Sequence, residues 1–266
     1  MSVLIVIPAR YASSRFPGKP LSLLKGATGQ SKSLIHRSWE AAQQVSGVDR
    51  VVVATDDERI EQASRAFGAE VVMTSSDCAN GTERCAEAYE NLGGGFDSVV
   101  NLQGDAPLTP PWFIEQLIKG LDKDQTADVA TPVLRCDVPA LTALRNDRSH
   151  GRVGGTTAVF SAARHALYFS KEVIPFTDTL HVSNHTTPVF HHVGVYCYRP
   201  TALAAYSSWP VGPLETLEGL EQLRFLENGR NVLCEEVDAK GRNFWELNNP
   251  EDTPKIEEMM RKMHME

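Results

Sequence analysis

Three cations follow the first apolar run of the chain. Residues 8–20 read PARYASSRFPGKP and contain Arg10, Arg15 and Lys19, directly after Val3–Ile7. Five aliphatic residues in succession are typical of a strand buried on both faces, and open α/β sheets bind ligands in the loops after such strands. Because guanidinium and ammonium groups suit a polyphosphate, the pattern indicates a phosphate-binding loop. The alternative is an ordinary surface loop, in which cationic side chains are also common.

An aspartate follows a later apolar run, Ser98–Leu102, in the sequence Gln103-Gly104-Asp105. Gly104 leaves room for a ligand to approach the backbone. A carboxylate at this position is suited to hold Mg²⁺ against phosphates. The alternative is a structural aspartate in the turn between strand and helix, because these residue types are favoured in turns. Both loops follow strands of one predicted parallel sheet, so we expect Asp105 and the cationic loop to share a sheet edge.

Residues 80–84, NGTER, open a predicted helix. The free amides of a helix N-terminus favour an anion or a polar base edge. Arg84 would therefore reach a phosphate, or else pair with Glu83 on a solvated surface.

Two adjacent histidines, His191 and His192, lie in a strand pattern. Alternation directs their side chains to opposite faces of the strand, so they are not expected to share a metal ion. One would face a ligand while the other is structural, although a strand histidine is more often structural.

An acid-rich helix is predicted over Leu214–Glu227. The leucines of this segment recur every third residue and are expected to form its buried stripe. Glu218, Glu221 and Gln222 fall elsewhere on the helical wheel. Such groups are usually solvated, and the alternative is that they accept hydrogen bonds from the hydroxyls of a sugar.

The composition excludes several classes of function. Of the 266 residues, 42% are hydrophobic and 23% are charged, which fits one large globular domain. The net charge of −8 argues against sequence-independent nucleic-acid binding. Neither a signal peptide nor a membrane span is predicted. Five scattered cysteines lack metal-ligand spacing and are expected to be reduced thiols, so we predict a cytoplasmic protein.

The elements that position these residues alternate between strand and helix in the first half, which predicts a parallel, doubly wound α/β sheet. Strands are expected at Val3–Ile7, Val51–Ala54, Glu70–Met73, Ser98–Leu102 and Asp128–Leu134. Helices are expected to begin near Thr55 or Asp56, at Asn80 and at Pro110.

The pattern changes after about residue 135. Strand-like runs with few helices between them are Arg152–Phe160, Ala166–Ser170 and Val189–Tyr198, and Thr177–Thr187 is a polar loop. We interpret this part as an antiparallel extension. Further elements are expected in the order helix Pro200–Ser207, helix Leu214–Glu227, strand Val232–Val237 and helix Pro250–Met263.

Taken together, these segments resemble the 3-deoxy-manno-octulosonate (Kdo) cytidylyltransferases. The matching stretches cover nearly the whole chain in family order: IPARYASSRFPGKP, VVVATDDERI, VVMTS, NGTERCAEA, VVNLQGDAPL, ALYFSKEVIP, HHVGVYCYRP, WPVGPLE, LEGLEQLRFLENG and NPEDTPKIE.

The resemblance implies a Rossmann-like nucleotidyltransferase domain over residues 1–266, with a mostly parallel sheet and an antiparallel dimerisation lobe at about 150–200. It implies transfer of CMP from CTP to Kdo, with Mg²⁺ as cofactor, in a homodimer serving lipopolysaccharide or capsule synthesis. Neither nucleic acid nor a membrane is an expected partner.

The resemblance also assigns roles by position. The catalytic residues would be Arg10, Lys19 and Asp105. The nucleotide would be bound by Ala9, Arg10, Ser13, Ser14, Arg15, Lys19, Arg84 and Gln103. The sugar acid would contact His192, Tyr196, Glu221 and Gln222, and the metal would contact Asp105 and Asn248.

The chain departs from the usual family pattern at several positions. Glu83 and Ala106 replace an aspartate and a glutamate, and Asn248 replaces a metal-binding aspartate. Glu246 would share the face of Asn248 on a regular strand and is an alternative ligand. With the longer Gly26–Ser33 segment, these changes indicate a divergent branch, with weaker metal binding at the second position.

Two other interpretations remain. The first is a cytidylyltransferase for another sugar acid, namely a modified Kdo, neuraminic acid or pseudaminic acid. The second is a nucleotide-binding relative without catalytic activity. The presence of Arg10, Lys19 and Asp105 favours an active enzyme.

Overall fold

The computed structural model describes residues 1–12, 16–105, 107–153, 155–178, 186–242, 247 and 249–265. The chain forms two compact units. Unit 1 consists of Met1–Glu115 and Ala239–Glu266, and unit 2 consists of Gln116–Asp238. The expected boundaries of a single catalytic domain with a dimerisation lobe stay a prediction.

Unit 1 contains parallel strands. Their spatial order is β5 (Glu70–Met73), β4 (Arg50–Thr55), β1 (Val3–Ala9) and β6 (Ser98–Leu102). Every residue of β1 is buried, as expected for an aliphatic strand of a parallel sheet. Because the strands are parallel, the segments that follow β1, β4 and β6 leave the sheet at one edge.

Helices and a hairpin complete unit 1. They are the hairpin β2 (Leu23–Lys25) and β3 (Ser31–Ser33), then α1 (Leu34–Gln43), α2 (Glu58–Ala66), α3 (Gly81–Asn91), the start of α4 (Pro111–Lys123) and α9 (Thr253–Lys262). The hairpin, missed by the sequence analysis, contains the unusual Gly26–Ser33 segment. The N-cap of α2 is Asp57 rather than Thr55 or Asp56, because its side chain accepts the Arg59 N–H.

Unit 2 is built on strands that pair mainly antiparallel. They are β7 (Val129–Asp137), β8 (Thr156–Phe160), β9 (Ala166–Ser170), β10 (Thr186–His192), β11 (Val195–Tyr198) and β12 (Val232–Glu236). β7 pairs antiparallel with β10 and β11 and parallel with β12, while β8 pairs antiparallel with β9 and β10.

Unit 2 differs from the sequence analysis around β7 and β10. The helix α5 (Val138–Ser149) follows β7 and was missed by the sequence analysis; it is capped by Asp137 and buries only two leucines. The predicted run Val189–Tyr198 is divided at Val193-Gly194 into β10 and β11. Of the predicted polar loop, residues 179–185 lie outside the described residues.

The predicted helix Leu214–Glu227 is also divided. After α6 (Pro200–Tyr206), the chain forms α7 (Pro213–Glu218) and α8 (Leu223–Glu227). Gly219 ends α7 with φ 59°, a left-handed conformation that glycine adopts without strain. The expected leucine stripe is therefore wrong: Leu217 is 82% exposed, whereas Leu223 is fully buried.

The fold class is confirmed as α/β with a mostly parallel sheet and helices. All five cysteines are free thiols. Among the described residues, no helix is both long and apolar enough to span a bilayer.

Candidate functional site

The cationic loop, residues 8–20, begins at the carboxyl end of β1, and a backbone hydrogen bond joins two of its residues. The Gly18 N–H donates to the Tyr11 carbonyl at 2.9 Å, and Gly18 has φ +70°. The Arg59 guanidinium lies 3.3 Å from the centre of the Tyr11 ring, a cation–π contact that fastens the loop to α2. Ser13, Ser14 and Arg15 lie outside the described residues.

The loop brings Lys19 to Asp105. The Lys19 Nζ lies 2.6 Å from the Asp105 Oδ2, and their side chains are 18% and 25% exposed. The two residues are 86 positions apart and follow the neighbouring parallel strands β1 and β6. The expected shared sheet edge is confirmed by this contact.

Gly104 has a different role from the one expected. A Cβ at this position would lie 3.0 Å from the carbonyl oxygen of Pro8. The space is therefore used for close approach of the β1 backbone, rather than left open for a ligand. Any larger residue would separate the end of β1 from Asp105.

The backbone of Asp105 is held by the segment near the second predicted metal ligand. The Leu247 N–H donates to the Asp105 carbonyl at 3.0 Å, and Leu247 is buried in an apolar cluster with Leu24, Leu108 and Ile256. Asn248 directly follows this contact in the sequence. Asn248 itself, together with Ala106 and Glu246, lies outside the described residues.

Ala9 and Arg10 end β1. Ala9 is buried and pairs with Thr55, whereas Arg10 is exposed. Among the described residues, no carboxylate forms an ion pair with Arg10. An exposed guanidinium group suits a phosphate ligand.

The start of α3 shows the structural role of Glu83. Asn80 Oδ1 accepts the Glu83 N–H at 2.9 Å, and Glu83 Oε2 accepts the Ala79 N–H at 2.8 Å. This reciprocal arrangement is close to a capping box, for which glutamate has the required reach. Glu83 therefore stabilises the N-terminus of α3.

Gln103 and Arg84 lie around the same helix start. A Cβ on Gly81 would lie 3.2 Å from Gln103 Nε2, so the glycine allows this close contact. Arg84 is 3% exposed; its Nη1 is 2.5 Å from Thr74 Oγ1 and 3.2 Å from Asp56 Oδ1. Arg84 therefore pairs with Asp56 and not with Glu83.

In unit 2, His192 is buried against polar and aromatic neighbours. Its Nε2 lies 2.9 Å from Thr131 Oγ1, and its ring contacts Phe169 edge-to-face, with centroids 4.9 Å apart. Burial lowers the pKa of His192 to about 3, so the ring is neutral at physiological pH. His191, on the opposite face of β10, is less buried.

Tyr196 connects His192 to Gln222. The rings of His192 and Tyr196 have centroids 5.6 Å apart, and the Tyr196 hydroxyl donates to Gln222 Oε1 at 3.1 Å. Gln222 is 2% exposed, and among the described residues its Nε2 has no hydrogen-bond partner. Three of the four residues assigned to the sugar therefore lie together.

The acidic residues of this segment have different surroundings. Glu221 lies between α7 and α8, where its carbonyl accepts the Tyr206 hydroxyl at 3.1 Å. Glu218 accepts hydrogen bonds from Ser170 Oγ at 2.6 Å and from the Lys171 N–H at 2.9 Å. Glu218 therefore joins α7 to the end of β9 through its carboxylate.

A buried ion pair holds α8, which begins next to Gln222. Arg224 donates to both oxygens of Glu215, at 2.7 and 2.8 Å, and their side chains are 2% and 10% exposed. This two-point contact between α7 and α8 fixes the turn that carries Glu221 and Gln222.

The described residues contain no cluster of three or more histidine, cysteine, aspartate or glutamate side chains suited to a metal. Mg²⁺, however, is commonly bound by one or two carboxylates with substrate phosphates. Asp105 offers one partly exposed carboxylate next to a cation. This donor chemistry fits Mg²⁺ bound together with a phosphate ligand.

The sequence analysis missed Asp56, Arg59 and Thr131. Asp56 and Arg59 lie beyond β4, where their charges looked like ordinary helix-start residues. Thr131 is a fully buried polar residue within the apolar strand β7. A lone threonine in such a run was the available signal, because a buried hydroxyl needs a hydrogen-bond partner.

Comparisons with known proteins identify relatives of the whole chain. The sequence model of the cytidylyltransferase family matches residues 4–236. A 3-deoxy-manno-octulosonate cytidylyltransferase of Maricaulis maris is 45% identical over 257 residues, 97% of this chain and 96% of that protein. The protein of that name from Porphyromonas gingivalis is 42% identical, over 99% of this chain and 98% of its own length.

A solved structure agrees with these sequence matches. It is described as CMP:2-keto-3-deoxy-manno-octonic acid synthetase complexed with CTP, and it matches with a TM-score of 0.83 and 34% identity. The match covers 99% of this chain and 100% of the other. The chain therefore belongs to the cytidylyltransferase family and, within it, to the 3-deoxy-manno-octulosonate cytidylyltransferases.

Proposed function

We propose that this chain transfers CMP from CTP to the anomeric hydroxyl of Kdo and releases pyrophosphate. The observation that carries the proposal is the contact between Lys19 and Asp105 after β1 and β6, in a chain whose relatives are named for this reaction. A cation and a carboxylate at one sheet edge suit a nucleoside triphosphate with its metal.

The nucleotide is proposed to bind in unit 1. Arg10 and Lys19 neutralise the phosphates, and Lys19 exchanges its Asp105 partner for a phosphate oxygen. Ala9 and the loop residues Ser13, Ser14 and Arg15 complete the phosphate side of this site. Gln103 and Arg84, which lie around the start of α3, bind the part of the nucleotide other than its phosphates.

Mg²⁺ is the proposed cofactor. Asp105 would hold it, and Asn248 would offer a neutral oxygen as a second protein ligand. When bound, Mg²⁺ offsets the negative charge of the phosphates. Hard oxygen donors of this kind are the ligands that Mg²⁺ prefers.

The sugar acid is proposed to bind in unit 2, through His192, Tyr196, Glu221 and Gln222. The first two side chains and Gln222 are buried and neutral, and Gln222 Nε2 is a donor that no described residue satisfies. Neutral donors and acceptors of this kind suit hydroxyl groups, because a hydroxyl both donates and accepts.

The reaction itself is a nucleotidyl transfer, in which the CMP group passes from CTP to the sugar. The anomeric oxygen of the sugar forms a bond to the α-phosphorus, and the bond from that phosphorus to the bridging oxygen breaks. Pyrophosphate leaves with the electron pair, and the hydroxyl proton passes to water. Such a transfer depends on positioning and on neutralisation of charge, which Arg10 and Lys19 provide.

The proposal includes a homodimer in the cytoplasm. Large apolar side chains of unit 2 are exposed, namely Leu167, Phe176, Val211 and Leu217. Burial of such side chains against a second copy of the chain would remove apolar area from water, which is favourable. Five free cysteines fit a reducing compartment.

The experiment is pyrophosphate release from the purified protein with CTP and Mg²⁺. Kdo is compared with neuraminic acid, and a reaction without acid controls for hydrolysis of CTP. We expect release with Kdo only. Release with neuraminic acid only would instead identify the alternative enzyme, and CTP binding without release with either acid would indicate a non-catalytic relative.

A further inference from the structure

We propose that Thr131 is a positioning residue that holds His192 in the tautomer protonated at Nε2, so that Nδ1 accepts a hydrogen bond from a hydroxyl of the sugar acid. This inference rests on the proposed function, which gives His192 its contact with the sugar. Thr131 lies in β7 and is fully buried.

The direction of the hydrogen bonds follows from the neighbours of Thr131. Its Oγ1 lies 2.9 Å from the Val195 carbonyl oxygen and 3.3 Å from the Val193 carbonyl oxygen. Carbonyl oxygens only accept hydrogen bonds. The single hydroxyl proton of Thr131 must therefore point to a carbonyl, since the opposite orientation would leave oxygen lone pairs facing one another.

The tautomer of His192 is then determined. Because the Thr131 hydroxyl donates its hydrogen bond to a carbonyl, Oγ1 can only accept a hydrogen bond from the ring nitrogen 2.9 Å away. Nε2 must therefore be protonated and act as the donor. Burial lowers the pKa of His192 to about 3, so the ring carries one proton and Nδ1 has none.

Nδ1 is then an acceptor to which no group donates among the described residues. His192 as a residue is only 6% exposed, but its Nδ1 is not one of the buried side-chain atoms without a partner, so this atom keeps contact with solvent. An acceptor that reaches solvent from a largely buried ring is accessible to a hydroxyl of a ligand.

Gln222 offers the complementary group nearby. Its Oε1 accepts the Tyr196 hydroxyl at 3.1 Å, and its buried Nε2 is a donor without a partner in the part of the chain that the structure describes. The rings of His192 and Tyr196 are neighbours, with centroids 5.6 Å apart. A hydroxyl both donates and accepts a hydrogen bond. His192 Nδ1 would accept from such a group and Gln222 Nε2 would donate to one. Thr131 makes His192 the acceptor of this pair.

The test compares Thr131→Val, Thr131→Ser and the control Thr187→Val. Valine removes the hydroxyl and keeps the shape, whereas serine keeps the hydroxyl. Thr187 is also buried in unit 2, and its Oγ1 donates to the Cys136 carbonyl at 2.8 Å without touching a histidine. Thr187→Val therefore reproduces the loss of a buried hydroxyl alone.

Two readouts are measured for each protein. The first is the tautomer of His192, from ¹⁵N shifts of the imidazole nitrogens assigned with a His192→Gln sample. The second is KM for Kdo and for CTP. In Thr131→Val we expect loss of the pure Nε2–H tautomer and KM for Kdo raised about tenfold, the effect of one hydrogen bond, with KM for CTP unchanged.

Thr131→Ser is expected to restore both readouts, and Thr187→Val to alter neither. A wild-type His192 protonated at Nδ1 overturns the proposal even if the valine variant does not fold. An unchanged tautomer, or an unchanged KM for Kdo, in a folded Thr131→Val also overturns it. A wild type inactive with Kdo overturns the proposed function and this inference together, which distinguishes it from failure of the positioning alone.

Discussion

The two groups of candidate site residues differ in how their polar atoms are satisfied. In unit 1, Lys19 and Asp105 carry opposite charges, lie 2.6 Å apart and remain partly exposed. In unit 2, His192 and Gln222 are neutral and almost fully buried. Exposed charges exchange partners at little cost in desolvation, whereas buried neutral groups depend on exact partners. We infer that charge dominates recognition in unit 1 and hydrogen-bond geometry dominates it in unit 2.

The largest expected effect comes from breaking the charged part of this comparison. Lys19→Gln removes a cation next to the proposed phosphates, and we expect kcat/KM to fall by about 10²–10³-fold, the usual effect of removing one group that stabilises developing charge. Pyrophosphate release under saturating Kdo measures this loss.

Lys32→Gln is the matched control. Lys32 Nζ also lies 2.6 Å from a carboxylate, that of Glu40, and its side chain is 14% exposed against 18% for Lys19. Lys32 lies in β3 and Glu40 in α1, so neither member of this pair belongs to the segments that follow β1 and β6. Equal losses in the two variants would contradict a specific role for Lys19 and would point to general destabilisation.

An intermediate effect is expected from the buried, neutral histidine. The pKa of His192 is about 3 in the folded chain and near 6.5 when exposed. Below about pH 6.5 the unfolded chain therefore binds a proton that the folded chain excludes, and stability falls by up to about 1.4 kcal/mol per pH unit. Above that pH the effect is absent. From pH 7.5 to 5.0 we expect a loss of roughly 2 kcal/mol attributable to His192.

Urea unfolding of the wild type and His192→Gln at those two pH values measures this loss. The wild type should be more sensitive to acid by the stated amount. His150→Gln, which replaces an exposed histidine of unit 2, should behave like the wild type. Parallel acid sensitivity of His192→Gln and the wild type would mean that the imidazole is not buried in its neutral form.

The sequence predicted unit 1 better than unit 2, for physical reasons. In unit 1, aliphatic strands alternate with helices that have clear N-terminal signals. The parallel arrangement then requires Lys19 and Asp105 to lie at one edge. The lack of space for a side chain at position 104 was harder to predict, because the nearby Pro8 carbonyl belongs to another strand.

Unit 2 contains weaker local signals. α5 buries only Leu141 and Leu144, too few to produce a helical stripe. The left-handed Gly219 ends α7, although the leucine spacing on both sides suggests one helix. Gln222 and Arg224 are buried by contacts with distant residues, and no local pattern separates them from solvated polar groups.

The smallest expected effect gives the most direct test of the comparison, since it measures both sites in one unmodified protein. KM for CTP and for Kdo is measured at about 0.1 M and about 1 M NaCl, where the Debye length falls from about 10 Å to about 3 Å. Mg²⁺ is held constant and saturating. The account predicts that KM for CTP rises several-fold while KM for Kdo changes much less. An equal rise for both substrates, or a larger rise for Kdo, would contradict the division between charged and neutral recognition.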